Sequence, residues 1–155
     1  MRIIEKVIIA FLSITLLTGI ISVESNYNTI FAKSIKDYPN PVKKAQPNYH
    51  WKNNCTWYVF NKRNSIKRYL PSNWTHAKNW LSEAKRAGYK TGKTPIAGAI
   101  LQTSKGGYGY GHVAFVEKVN ANGSILISEY NYNVRLGYGT RTLTKAQAAQ
   151  YNYIY

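Results

Sequence analysis

The sequence predicts an α+β domain, with N-terminal helices packed on an antiparallel β-sheet. Three observations carry this expectation. Apolar residues recur at helical spacing between Asn54 and Gly88, β-branched and aromatic runs begin at Ala99, and an Ala-Asn-Gly turn joins the two longest runs. Helices grouped ahead of strands along the chain give the α+β arrangement.

Residues 1–32 read as an export signal. Arg2 and Lys6 precede an uncharged apolar stretch from Val7 to Val23, the order of basic and apolar regions that a secretion channel takes. Its 17 residues fall just short of the ~18 usual for a membrane span. Ser25 and Ala32 are small residues suited to a cleavage site, and Ala32 bounds the signal adopted here. An uncleaved N-terminal anchor is the alternative. Either way, the rest of the chain is expected outside the cytoplasm.

Residues 33–47 form a linker or N-terminal arm, because Pro39, Pro41 and Pro47 punctuate a basic, weakly apolar stretch. A single compact domain is placed at 48–155. Cys55, Val59, Ile66 and Leu70 lie on one face of a helix, with Asn53 or Asn54 as its cap and Pro71 as its end. A second helix carries Ala77, Trp80, Leu81, Ala84 and Ala87, capped by Asn73 or Thr75 and closed by Gly88. Strands are expected at 99–102, 112–119, 124–130, 140–143 and 151–155, with a helical turn at 145–150. The turn Ala121-Asn122-Gly123 makes 112–130 a hairpin.

The chain carries a net charge of +15. Two of its 21 basic and two of its six acidic residues lie in the signal, so the remainder keeps the full excess. Such a field favours polyanionic surroundings. For an exported chain the expected partners are anionic wall polymers. Nucleic acid is not expected, because the export signal conflicts with it and no reading module is present.

Cys55 is the one cysteine, which excludes an intramolecular disulfide and leaves stability to the core. A lone thiol in an oxidising space is a liability unless it is buried or it works. At the first turn of a helix it meets unpaired N–H groups and the positive end of the helix dipole, which favour a thiolate. The same groups can hold the oxyanion formed when sulfur attacks a carbonyl. His112 opens a strand directly after Gly111 and can take the thiol proton, then return it to a leaving amine. Glu129 and Asn131, two residues apart on the paired strand, share a face. From there a carboxylate or amide can hold the imidazole Nδ1–H. His50 and His76 have no partner pattern for a metal site, and no metal or other cofactor is expected.

Asn54-Cys55-Thr56-Trp57-Tyr58, Gly111-His112-Val113-Ala114-Phe115-Val116 and Ser128-Glu129-Tyr130-Asn131-Tyr132 resemble the three signature segments of CHAP domains. These are the cysteine- and histidine-dependent amidohydrolase/peptidase domains of bacterial and phage wall lysins. Thr94-Pro95 and Gly98-Ala99-Ile100 resemble the family's segment between its Cys and His motifs. The resemblance covers about residues 48–155. It implies a papain-like fold, Cys55 as nucleophile, His112 as general base and acid, and Glu129 and Asn131 as orienting residues. It also implies peptidoglycan as substrate, cut at the N-acetylmuramoyl–L-alanine amide or at a peptide bond of the stem or cross-bridge.

Asn54, Trp57 and Tyr58 are the candidate substrate-binding residues beside the thiol. Some phage members bind calcium through an Asp-rich loop before the cysteine. The stretch Pro47 to Asn53 has no carboxylate, so no calcium requirement is expected. The sequence thus predicts a secreted, wall-associated, monomeric thiol hydrolase of peptidoglycan. The alternative is a non-catalytic cationic wall-binding protein or secreted antigen on the same fold.

Overall fold

In the computed structural model, residues 33–155 are described. The export signal expected over 1–32 lies outside the described residues. Among the described residues, three α-helices and six strands follow one another as α1 (Cys55–Ser65), α2 (Trp80–Arg86), β1 (Thr91–Gly92), β2 (Ile100–Thr103), β3 (His112–Val119), β4 (Ile125–Tyr130), β5 (Tyr138–Leu143), α3 (Lys145–Ala148) and β6 (Asn152–Ile154). The strands form one antiparallel sheet in the order β1-β6-β2-β3-β4-β5. The α+β class expected from the sequence is the class observed.

Strand alternation sorts the core into two layers. Val113, Ile100 and Ile154 point to the face covered by the helices, where Val59, Phe60, Trp74, Trp80 and Ala84 complete a cluster. Ala114, Val116, Ile127 and Leu143 point to the other face. Ala148 of α3 closes that side, with Ile35 and Tyr38 of the arm packed against it. The arm is further held by Arg68, which donates to the carbonyls of Tyr38 and Pro39, and by Asn40, which donates to Lys67 O.

The end of α1 departs from expectation. It stops at Ser65, well before Pro71, and Ile66 is its exposed C-cap. Lys67 adopts a left-handed φ of 56°, Arg68 N donates to Arg63 O and Lys67 N to Asn64 O. This is a Schellman closure with lysine where glycine is usual, so no sequence signal marks it. In α2 the same closure uses Gly88 (φ 84°), with Tyr89 N on Ala84 O. There the glycine was legible. The start of the second helix also differs. Residues Ala77–Asn79 form a 3-10 turn that runs into α2, and Thr75 does not cap it. Its N–H and hydroxyl instead both donate to the Glu83 carboxylate.

Arg63, at the end of α1, is fully buried. It donates to the carbonyls of Arg68, Gly98 and Ile154. Burial drops its guanidinium to about 9, with Arg68 adding to the fall. One side chain thus binds the first helix to the segment before β2 and to β6.

Candidate active site

The site forms where the N-terminus of α1 meets the start of β3. Asn54 is the N-cap by backbone geometry, with φ −106° and ψ 162°, yet its side chain caps nothing in the helix. The first intrahelical bond is made by Tyr58 N to Asn54 O. The N–H groups of the opening turn therefore keep their capacity for another acceptor. Cys55, half-buried and free, stands on this turn and packs against the helix-side cluster.

His112 is the first residue of β3 and is 2% exposed. Gly111, just before it, has φ 78°, and a Cβ there would fall 2.6 Å from both Lys78 N and Thr103 O. Only glycine lets the chain pass this close to the 3-10 turn and enter β3 at this point.

The imidazole Nε2 lies 2.9 Å from Glu129 Oε2, and the Cys55 side chain is close enough to the ring to raise its proton affinity. The nitrogen held by the carboxylate is therefore Nε2, not the expected Nδ1. The register explains the inversion. Phe115 pairs with Ser128, and continuing that pairing sets Glu129 diagonal to His112. A diagonal neighbour lies roughly 7–8 Å away between backbones, so the distal ring nitrogen is the one that reaches it.

Burial alone would lower the His112 pKa, but the interactions with Cys55 and with the Glu129 carboxylate raise it above the usual value. Burial alone would raise Glu129, which is 1% exposed. The hydrogen bonds and charges of His112 and Arg141 bring it below the carboxylate range instead.

Asn131 does not reach the imidazole. It follows the end of β4 with φ 53°, so strand alternation no longer sets its direction. Its Nδ2 donates to Asn54 Oδ1 at 2.9 Å, and its Oδ1 accepts from Leu136 N at 2.8 Å. Asn131 thus ties the β4–β5 loop to the residue before the thiol.

Of the candidate substrate-binding residues, Asn54 is held by this bond and remains half-buried. Trp57 meets Tyr130 edge to face at 5.9 Å. Tyr58 turns to the sheet, where its hydroxyl donates to Ser128 Oγ at 2.8 Å. Burial pushes its phenol up to about 12, so it stays a donor. Ser128 in turn donates to Glu117, which pairs with Lys62 of α1. That chain of polar contacts locks α1 to β3 and β4.

The sequence reading missed Arg141 and Tyr132. Arg141 Nε and Nη2 donate to the two oxygens of Glu129 at 2.7 and 2.9 Å. The Tyr132 ring stacks on His112 at 4.2 Å and receives the Arg141 guanidinium at 4.7 Å on its face. Arg141 pairs with Ile127 across β4–β5, which makes it a diagonal neighbour of Glu129. Opposite charges on adjacent strands were the available signal.

His50 and His76 lie apart from this cluster. His50 sits against Phe60 and Trp80, with its pKa lowered by burial, and His76 lies on Tyr110. Among the described residues, no three His, Cys, Asp or Glu side chains are grouped to hold a metal ion.

Residues 44–131 match the CHAP domain family. The staphylococcal secretory antigen SsaA of Staphylococcus epidermidis is 46% identical over 115 residues, covering 74% of this chain and 43% of that protein. An N-acetylmuramoyl-L-alanine amidase of Staphylococcus haemolyticus is 44% identical over 136 residues, covering 86% of this chain and 40% of that one. The crystal structure of an N-acetylmuramoyl-L-alanine amidase from Staphylococcus aureus superposes with a TM-score of 0.62 at 34% identity, over 79% of this chain and 38% of that one. The chain spans less than half the length of these relatives. A free thiol on a helix tip, an imidazole and a buried carboxylate fall on the three segments of this match: the chain belongs to the CHAP domain family.

Proposed function

We propose that this chain is an exported peptidoglycan hydrolase that cleaves an amide bond through a Cys55 thiolate. The observation that carries the reading is the buried His112–Glu129 pair, whose imidazole feels the Cys55 side chain on the first turn of α1. His112 takes the thiol proton, and the sulfur attacks the scissile carbonyl carbon. The N–H groups at the start of α1, left uncapped by Asn54, face the oxyanion that forms. The imidazolium then protonates the leaving amine, and a thioester remains on Cys55. Water, deprotonated by His112, releases the acid and restores the thiol. Glu129 holds the ring and balances the imidazolium.

The relatives named as N-acetylmuramoyl-L-alanine amidases support a wall substrate. The bond is the N-acetylmuramoyl–L-alanine amide or a peptide bond in the stem or cross-bridge. The +15 charge suits anionic wall polymers, which would hold a secreted monomer at the wall. The test is wall clearing by the purified chain, with mass spectrometry of the soluble fragments to identify the bond. Clearing should vanish in Cys55→Ala while the fold persists; clearing that survives loss of the thiol rejects the mechanism.

The name of the SsaA relative favours a second reading, a non-catalytic secreted antigen that binds the wall. It requires a dispensable sulfur. Cys55 that resists iodoacetamide at neutral pH, in a chain that binds wall without cutting it, would establish this alternative.

A further inference from the structure

We propose that Arg141 is a positioning residue of this site, the counter-ion that keeps Glu129 an anion while His112 is neutral. The inference rests on the hydrolase reading above and adds a residue to it. His112, Glu129, Arg141 and Tyr132 form a closed ring of contacts: imidazole to carboxylate, carboxylate to guanidinium, guanidinium to phenol face, phenol face to imidazole. The ring spans β3, β4, β5 and the loop after β4.

The physical need for a cation follows from burial. Glu129 is 1% exposed and His112 2%. When the imidazole is protonated, the two charges cancel. A base, however, must also exist unprotonated, and the buried carboxylate would then stand alone. An isolated buried charge takes up a proton rather than persist. The proton would stay on the His112–Glu129 pair, and the base would be lost. An orienting amide would create no such difficulty; a carboxylate does.

The geometry supplies the cation. Arg141 is a diagonal neighbour of Glu129, and the residue directly opposite Glu129 is Gly139, so no side chain bars the guanidinium. Both carboxylate oxygens accept from it, a fork that fixes the plane of the carboxylate as well as its charge. Oε2 is shared between Arg141 Nη2 and His112 Nε2. Held in this way, Glu129 presents one fixed lone-pair direction to the ring. Tyr132, itself 44% exposed, packs over both the imidazole and the guanidinium.

The groups that face this pair are few. Cys55 meets His112 from α1, Arg141 meets Glu129 from β5, and Tyr132 and Tyr151 lie within the field of Arg141. Removing a cation from such a set raises the proton affinity of what remains. Arg141→Gln should therefore make His112 hold its proton to higher pH.

The experiment is a proton NMR titration of His112 in the Cys55→Ala chain, where the thiol cannot mix into the curve. Arg141→Gln should move the His112 midpoint up by about one unit or more, and Arg141→Lys should return it most of the way. A midpoint that stays or falls in Arg141→Gln overturns the proposal, as does a lysine variant that behaves like glutamine. With Cys55 restored, wall-clearing rates give a second reading. Arg141→Gln should cost much activity alone and little once Glu129 is already Gln, because an amide needs no counter-ion; losses that multiply would overturn the proposal.

If Arg141→Gln does not fold, recovery of the fold in Glu129→Gln/Arg141→Gln supports the counter-ion role. A double variant that stays unfolded rejects it. The titration is readable whether or not the chain cuts wall, so failure of the hydrolase reading would show separately, as an intact chain that clears nothing.

Discussion

Asn131 Nδ2 donates to Asn54 Oδ1 at 2.9 Å, so the loop between β4 and β5 holds the residue directly ahead of Cys55. Asn54 is thereby kept from capping its own helix, and the opening turn stays available to an incoming oxyanion. Asn131→Gly tests this tie cleanly, because glycine accepts the left-handed φ of 53° and removes only the side chain. We expect a loss of about 1–2 kcal/mol for its two hydrogen bonds and about tenfold slower wall clearing. Asn131→Ala should lose roughly 1 kcal/mol more, from backbone strain. Urea denaturation and clearing rates measure both.

Stability should peak between the ordinary pKa values of the buried pair. Glu129 lies below its reference of 4.5, so its contribution is present above that pH and fades as pH falls through the folded value. His112 lies above its reference of 6.5, so its contribution is present below that pH and fades as pH rises through the folded value. Both act together between 4.5 and 6.5. Urea midpoints followed with pH should decline on either side of this window. His112→Asn should flatten the alkaline decline, and Glu129→Gln should flatten the acid one.

Gly111→Ala should be severe for its size. The added Cβ meets two backbone atoms at 2.6 Å in a left-handed conformation, and neither the 3-10 turn nor the end of β2 can give way cheaply. A loss above about 2 kcal/mol is expected. Wall clearing should fall further than the unfolded fraction explains, because His112 is the next residue. Comparing activity with the folded fraction from circular dichroism separates the two effects.

Attachment to isolated wall should weaken steeply with salt. The excess of +15 acts at a distance, and raising ionic strength from ~0.1 to ~1 M shortens its reach from ~10 to ~3 Å. Co-sedimentation with purified wall should show release across that range. Binding that resists salt would assign attachment to a specific groove rather than to net charge.

The contrast between the two long helices shows what a sequence discloses. Both end in the same hydrogen-bonded closure, but only Gly88 announces it; Lys67 adopts the left-handed conformation without a compositional mark. Strand β3 was legible to the residue, because valine and aromatic side chains dominate the stretch from His112 to Val119. Strand β1, with two residues, is too short to show alternation.

At the site, residue types were readable and directions were not. The imidazole of His112 meets the Glu129 carboxylate. The choice of Nε2 over Nδ1 depends on a diagonal register that no pattern of residues states. Asn131 turns to Asn54 because a positive φ breaks the alternation that would have aimed it at His112. Arg141 was hidden because it lies two strands away in sequence order from the histidine it serves.

The position of β6 governs the order in which the molecule can assemble. This strand lies between β1 and β2, and Arg63 of α1 is satisfied in part by Ile154 O, 91 residues later. Neither the sheet nor the first helix is complete until a distant segment has slid into the middle. Pairings this remote in sequence are slow to find. The chain therefore stays open for longer than a simple meander of hairpins would.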